Sequence, residues 1–332
     1  MRKDQFESPD YYMVEKLFSE EQILVRDATR QWVKEYVSPI IEDCNLKGVF
    51  PKELIKGIAE IGGFGAILPA KYGGSELDLI SYGLMMQELE RGDSSIRVMC
   101  SIQTSLVMNN IYEHGNDFHK QEFLLKLSKG ELIGSFGLSE PGHGSDPASM
   151  QTRHAIDGDY YIINGSKMWI GNAPFCDIAL VWSKAADNRY SCFIIHRDDP
   201  GFSTSKIDKK WSFRASETGE LIFDNCKVHK KYLLYESDSI QSALSSLNIA
   251  RYAVACGSIG IAMECYDVAL KYSNERIQFG KKISSNQLIQ KKLVDMITEI
   301  TKAQLLNWKL GMMMNDGEAT FEQISMAKRN NV

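Results

Sequence analysis

Charge of one sign is what this sequence most plainly lacks: 38 Lys and Arg stand against 43 Asp and Glu, a formal net charge of -5 over 332 residues, with no basic tract. Without such a tract there is no electrostatic footprint for nucleic acid, and none is expected as a partner. Paired cysteines are absent too. Cys44, Cys100, Cys176, Cys192, Cys226, Cys256 and Cys265 stand singly, without the spacing of a metal site or a disulfide framework, and read as reduced thiols. No metal is expected. No stretch reads as long and apolar enough to span a bilayer, so no membrane partner is expected either. The N-terminus, MRKDQFESPDYY, has neither the apolar core of a signal peptide nor the acid-poor, Arg-rich character of a transit peptide, which points to a cytoplasmic location.

What is present is ordinary for a globular chain. Hydrophobic residues at 44% and charged residues at 24% exclude disorder and fibre, and the length suits one large domain or two to three small ones. Ser19-Glu-Glu-Gln22 is a capping-box pattern, and Ile23, Leu24, Ala28, Trp32 and Tyr36 follow at helical spacing, predicting a helix over 19–44. Pro51 suits the first position of a second helix and Gly62-Gly63 its end. Residues 76–90, 94–114 and 116–128 keep the same rhythm. From Ile133 the pattern changes to short runs rich in Ile, Val, Tyr and Phe, bounded by the turn pairs Asp157-Gly158, Asn164-Gly165 and Asp187-Asn188. Tyr160 to Ile163, Ile178 to Trp182 and Phe193 to His196 are expected strands. After about residue 238 helical periodicity returns. Tyr252 to Leu270 is apolar or small nearly all round, a helix to be buried on several sides, and 284–314 carries a bundle stripe. The expected fold is α+β: an N-terminal helical domain (1–131), a middle antiparallel β domain (132–237) and a C-terminal helical bundle (238–332).

Three places carry chemistry. Phe136-Gly-Leu-Ser-Glu-Pro-Gly-His-Gly-Ser-Asp146 combines glycines that permit positive φ and close backbone approach, at Gly142 and Gly144, with Pro141 and the Ser139 and Ser145 hydroxyls. Such a loop can cradle a planar ring and a phosphate, or be no more than a turn. Lys167-Met-Trp-Ile-Gly-Asn172 sets an indole beside a glycine backbone, so Trp169 either stacks on a ring or fills a core. In Glu90-Arg-Gly-Asp-Ser-Ser-Ile-Arg97 a cation falls in the first turn of a helix capped by Asp93 or Ser94, where the dipole is already positive. A carboxylate partner explains Arg97 better than helix stability does; a plain surface arginine is the other reading.

Taken together, FGLSEPGHGSD, YIINGSKMWIGN, FRASETG at Phe213 to Gly219, ERIQFGKKI at Glu275 to Ile283 and NQLIQKKLVDM at Asn286 to Met296 resemble the acyl-CoA dehydrogenase family in order and spacing, from about residue 15 onward. The resemblance implies FAD, contacted by Phe136, Leu138, Ser139, Gly144, Ser145, Trp169, Ile170 and Gly171. It also implies that Arg276, Phe279 and Gln287 reach the FAD of a neighbouring subunit, hence a homo-oligomer, a tetramer by the family's pattern. The segment GDSSIRVMCSIQTSLVM resembles the glutaryl-CoA type, in which the residue matching Arg97 binds the distal carboxylate of the acyl chain, with Ser101 one turn on and Glu90 as its partner. Ser145, Asn248 and Arg251 match the family's acyl-CoA pocket, although an ion pair within the bundle is an equal reading of Arg251. The implied reaction is oxidative decarboxylation of glutaryl-CoA to crotonyl-CoA, with electrons passing to an electron-transfer flavoprotein.

Two departures from the family pattern stand out. The family usually has Thr or Ser where this chain has Gly171, leaving only a backbone N–H for the flavin. The family's catalytic glutamate lies in a segment beyond the match to Lys328-Arg-Asn-Asn-Val332, and its alternative seat is Ala250 here. No catalytic residue is therefore assigned, and the expectation is that this chain alone loses at least the ~10²-fold typical of general-base catalysis and leaves bundle surface exposed. An inactive FAD- and CoA-binding pseudoenzyme and a short-chain acyl-CoA dehydrogenase are the alternatives.

Overall fold

The computed structural model describes residues 10–332; residues 1–9, part of the stretch inspected for a targeting signal, lie outside the described residues. In chain order the helices are α1 (Glu20–Trp32), α2 (Ile41–Lys47), α3 (Leu54–Glu60), α4 (Leu79–Gly92), α5 (Ser94–Ser101), α6 (Asn109–His114), α7 (Asp117–His119), α8 (Leu125–Ser128), α9 (Gln241–Ser245), α10 (Asn248–Glu275), α11 (Gln287–Asn315) and α12 (Phe321–Asn331). The strands are β1 (Gly134–Gly137), β2 (Arg153–Asp157), β3 (Tyr160–Gly171), β4 (Ile178–Lys184), β5 (Tyr190–His196), β6 (Phe202–Lys206), β7 (Thr218–His229), β8 (Leu233–Ser237), β9 (Ile277–Gln278) and β10 (Lys281–Lys282). Helices, then strands, then helices is the α+β order that the sequence predicts. By contacts the chain forms two compact units, a helical one (residues up to Glu42, Asp78–Arg97 and Arg251–Val332) and a sheet one (Asp43–Leu77 and Val98–Ala250).

In the sheet unit, β1 to β8 form one sheet ordered β6-β7-β3-β2-β4-β5-β8, with β1 beside β4. Pairing is antiparallel except that β1 runs parallel to β4 and β2 touches β4 in parallel at Arg153↔Lys184. Ile163, Ile170, Phe193, Ile195, Leu221 and Phe223 pack into its core, and fully burying such side chains stabilises by roughly 1.5–3 kcal/mol each. Gln103, fully buried, ties helix to sheet. Its amide donates to the carbonyls of Leu127 at 3.0 Å and Leu132 at 2.7 Å, and its oxygen accepts the Gly134 N–H at 2.9 Å. Asp157-Gly158 and Asp187-Asn188 do turn the chain, with Gly158 and Asn188 at φ 60 and 70. Asn164-Gly165 does not. It lies inside β3 at a register shift, where the Cβ of any residue at 165 would sit 2.7 Å from the Thr152 Cα.

In the helical unit, α1 packs on α4, and α11 packs on both α4 and α12. The Ser19 capping box is present, with Ser19 Oγ accepting from the Gln22 N–H at 3.2 Å and Gln22 Oε1 from the Ser19 N–H at 3.0 Å. The expected single helix over 19–44 is interrupted: a π-helical turn at Val33–Val37 follows α1, and α2 starts afresh at Ile41. Pro51 likewise sits in the turn before α3 rather than at its first position. The small residues of α10 behave as expected. A Cβ at Gly260 would lie 1.9 Å from the Gln87 carbonyl oxygen of α4, and one at Gly257 would lie 1.9 Å from Glu90 Oε2. Burial of α10 is one-sided, however, because Ile261, Val268 and Tyr272 are 43, 50 and 57% exposed. The stretch Gln241–Glu275 is long and apolar enough to cross a bilayer by length and composition, which corrects the expectation that no such stretch exists. Its buried residues, Tyr252, Ala253, Ile259 and Met263 among them, are those of a core helix.

His154 of β2 is held between Ser183 Oγ, 2.9 Å from Nδ1, and Ser191 Oγ, 3.5 Å from Nε2. Burial pushes its pKa down to about 4, against a weaker upward pull from Asp187. The folded chain thus refuses a proton that the unfolded chain accepts. Stability attributable to His154 is complete above about pH 6.5 and is lost as the pH falls toward 4. Urea denaturation at a series of pH values should show the slope of stability against pH shrinking by about one proton in that window for His154→Gln. An unchanged slope would contradict the burial argument.

Candidate active site

The site starts from a single extra residue in β3. Lys167 pairs with Leu221 and Ile170 with Gly219, so the strand bulges between them. A bulge of this kind reverses which face the side chains reach. Lys167 is fully buried whereas Trp169, two positions on, is 61% exposed with its backbone in the left-handed region at φ 65. A left-handed tryptophan is strained, and such strain persists where surrounding structure enforces it. The enforcement is visible: the Met168 N–H donates to the Ser139 carbonyl at 2.9 Å, tying the bulge to the glycine-rich loop.

Trp169 and Gly171 face a cleft of about 580 Å³ within the sheet unit, lined also by Val98, Ile102, Ile207 to Phe213, Ser216 and Thr218. Its far wall is the FRASETG segment and the residues before it, to which sequence reasoning assigned no role. Lys209 and Phe213 there are left-handed, at φ 59 and 53, and Trp211 is fully exposed. Arg214 pins this wall to the end of α2, donating to the carbonyls of Asn45 at 2.8 Å, Leu46 at 3.0 Å and Lys210 at 3.2 Å. Lys210 Nζ in turn donates to Thr218 Oγ1 at 3.0 Å and to the Ser216 carbonyl. The available signal was the motif itself, since its two hydroxyls and arginine suit a fixed polar wall.

Gly171 has its own explanation. A Cβ there would meet Ile102 Cδ1 at 2.3 Å, so the Ile102 side chain already occupies the space that a side chain at 171 would take. Ile102 opens a π-helical stretch, Ile102–Met108, a winding frequent at functional sites.

The other anticipated residues are placed as follows. Phe136 and Leu138 are buried, Ser139 is half-buried, Ile170 is buried, and Gly144 and Ser145 are exposed. Neither Gly142 nor Gly144 uses the positive φ that glycine permits; a Cβ at either would meet nothing within 4 Å, so the loop faces open space. In the helical unit Arg97 and Glu90 come together, with Nε 2.6 Å from Oε2 and Nη2 3.2 Å from Oε1, both buried. Ser101, buried in the sheet unit, donates to the Val98 carbonyl at 3.1 Å. Asn248 is half-buried at the start of α10. Arg251 lies 4.9 Å from the centre of the Phe321 ring, a cation–π contact, and burial lowers its pKa from the ordinary value. Arg276, Phe279 and Gln287 are exposed about the β9–β10 hairpin, Phe279 completely and with φ 53.

Three family models match in chain order: the acyl-CoA dehydrogenase N-terminal domain over residues 19–131, the middle domain over 135–226 and the C-terminal domain over 240–331. The chain belongs to the acyl-CoA dehydrogenase family. It is 33% identical over 316 residues to a mitochondrial short/branched chain specific acyl-CoA dehydrogenase of Rattus norvegicus, covering 94% of this chain and 73% of that one. It is 35% identical over 308 residues to a glutaryl-CoA dehydrogenase of Desulfococcus multivorans, covering 90% and 79%. A solved glutaryl-CoA dehydrogenase of Mycobacterium smegmatis in complex with FADH2 superposes with a TM-score of 0.94 at 37% identity, covering 96% of this chain and 82% of that one.

Members of the acyl-CoA dehydrogenase family are FAD-dependent oxidoreductases acting on CH–CH donors. The residues of this chain fit that cofactor: the cleft has the size of a small-molecule site, an exposed indole offers a flat face, and the glycine loop opens on unfilled space. Trp169, Ser139 and the Ser216–Thr218 wall are the groups that would hold it.

The buried Arg97–Glu90 pair makes a prediction independent of any ligand. Removing one partner of a buried ion pair costs about 3–5 kcal/mol. Glu90→Ala should lose that much in urea denaturation; a loss below about 1 kcal/mol would place the pair among weak surface contacts.

Proposed function

We propose that this chain serves the oxidative decarboxylation of glutaryl-CoA to crotonyl-CoA, with FAD as the electron acceptor in the site and an electron-transfer flavoprotein receiving the electrons afterwards. FAD, when bound, supplies a two-electron acceptor beside the thioester. The protein's part is placement. Trp169 offers a stacking face, Ser139 and the Gly171 backbone present donors, and Arg214 and Lys210 keep the far wall rigid.

The observation that carries the choice of substrate is the guanidinium of Arg97, in the first turn of α5 and pinned by Glu90 at 2.6 Å. Glu90 fixes the orientation of this guanidinium through Nε and Nη2, and a cation so held is complementary to a carboxylate, the group at the distal end of a glutaryl chain. The glutaryl-CoA relatives at 35% and 37% identity point the same way. A second reading, a short or branched acyl chain without that carboxylate, is favoured by the rat relative at 33%. Assembly into a homotetramer belongs to the same proposal, with the exposed Arg276, Phe279 and Gln287 reaching a neighbouring subunit's cofactor.

Anaerobic titration of the FAD-loaded protein with glutaryl-CoA and with butyryl-CoA, followed in the visible flavin spectrum, separates the readings. Hydrogen bonds to charged groups are worth about 1.5–3 kcal/mol, so glutaryl-CoA should bind roughly 10- to 100-fold more tightly. That preference should vanish in Glu90→Gln/Arg97→Met, which removes the ion pair without orphaning either partner. Equal affinities in the native protein would support the short-chain reading instead.

A further inference from the structure

Lys167 is an anomaly in the sheet unit: a fully buried lysine on a strand of the flavin cleft, yet not one of the residues lining it. Taking an ammonium out of water costs several kcal/mol unless hydrogen bonds and an opposite charge compensate. Here Nζ donates to the Leu138 carbonyl at 3.1 Å and to Glu140 Oε1 at 2.9 Å. Glu140, also buried, accepts the N–H of Gln151 at 2.6 Å and that of Thr152 at 2.9 Å. Burial alone would raise the Glu140 carboxyl, but Lys167 and these amide donors outweigh it and hold it at about 2. Burial brings Lys167 down to about 8 against the pull of Glu140, so both groups are charged at neutral pH.

The geometry of this cluster goes beyond holding a sheet together. Three consecutive residues, Leu138, Ser139 and Glu140, each receive a bond from Lys167 or Met168, the two residues directly before the left-handed Trp169. The loop and the indole are thereby locked to one another through groups that face away from the cleft. An apolar pair of equal volume would stabilise a sheet as well or better, so stability alone does not account for a charged one.

We propose that Lys167, through Glu140 and the Leu138 carbonyl, is a positioning residue that sets the Leu138–Ser139 edge against Trp169 before the cofactor arrives. The inference rests on the assignment of FAD to this cleft. Glu140 anchors the same edge to the start of β2. Preorganised donors at a site where charge develops need no rearrangement when the ligand binds; loss of supporting partners weakens metal sites by about 10- to 100-fold, and the lower end of that range is the scale expected here.

The test compares the native protein with Lys167→Met/Glu140→Gln, which leaves no buried charge unpaired, and with Glu140→Gln alone. Cofactor affinity is read from quenching of flavin fluorescence, the flavin potential from anaerobic dye equilibration, and folding from the urea midpoint. Positioning predicts an FAD Kd raised at least about tenfold and a shifted potential in variants that still unfold cooperatively. Lower urea midpoints with unchanged Kd and potential would reduce the pair to a structural one and overturn the proposal. Should neither variant fold, hydrogen exchange on the cofactor-free native protein decides. Slow exchange at Gln151, Thr152 and Met168 supports a preformed edge, and exchange at the rate of an unstructured peptide refutes it. Failure of the native protein to bind FAD would remove the cofactor assignment itself, an outcome that needs no variant to recognise.

Discussion

An ammonium group with no path to water governs the arrangement of this protein's sheet unit. Lys167 can be buried only because a carboxylate and a carbonyl reach it from the glycine-rich loop, and it points inward, paired with Leu221, just ahead of the extra residue that β3 carries before Ile170. The same insertion turns Trp169 outward and into the left-handed region. The exposed indole is thus a consequence of the bulge, whereas the inward lysine and the anchored loop depend on the Lys167–Glu140 pair and the amide donors around it. A β3 without the insertion would place either the indole or the ammonium on the wrong face.

The helical unit resolves a similar conflict by deletion. Glu90 and Arg97 meet between α4 and α5 at 2.6 Å, and the space for Glu90 exists because α10 has no side chain at Gly257. Gly260, one turn on, lets the α4 backbone approach in the same way. These glycines serve by their size alone; neither takes an unusual φ. Gly171 belongs to the same class, its side-chain space being taken by Ile102. Its lack of a hydroxyl is thus coupled to the packing of a π-helical turn and not to the strand alone.

Local chemistry was the most legible part of the sequence. The Ser19 capping box, the turns at Asp157-Gly158 and Asp187-Asn188 and the close approach allowed by α10 depend on neighbours within a few residues or on residue size, and each appears as read. Asn164-Gly165 misled because the residues that permit a hairpin turn also permit an irregular strand, and only pairing with β7 distinguishes them. Lys167 and Glu140 were passed over because a charge in a sequence reads as a solvated face, and its burial is decided by groups far along the chain. FRASETG was noticed as a motif, yet its place on the cleft wall depends on Arg214 reaching the carbonyls of Asn45 and Leu46, a contact no local pattern announces. The apolar character of Tyr252 to Leu270 was read in the sequence, whereas the run through the preceding α9 and the start of α10 that makes up Gln241–Glu275 lies in the fold.

The central claim is that the bulge of β3 and the Arg214-pinned segment bound one flavin site. Hydrogen exchange measured with and without FAD tests it most directly. Protection on binding should concentrate in residues 136–145, 168–171 and 207–218, segments apart in sequence that meet around the β3 bulge. Protection spread over the sheet unit, or confined to segments outside these three, would contradict the account.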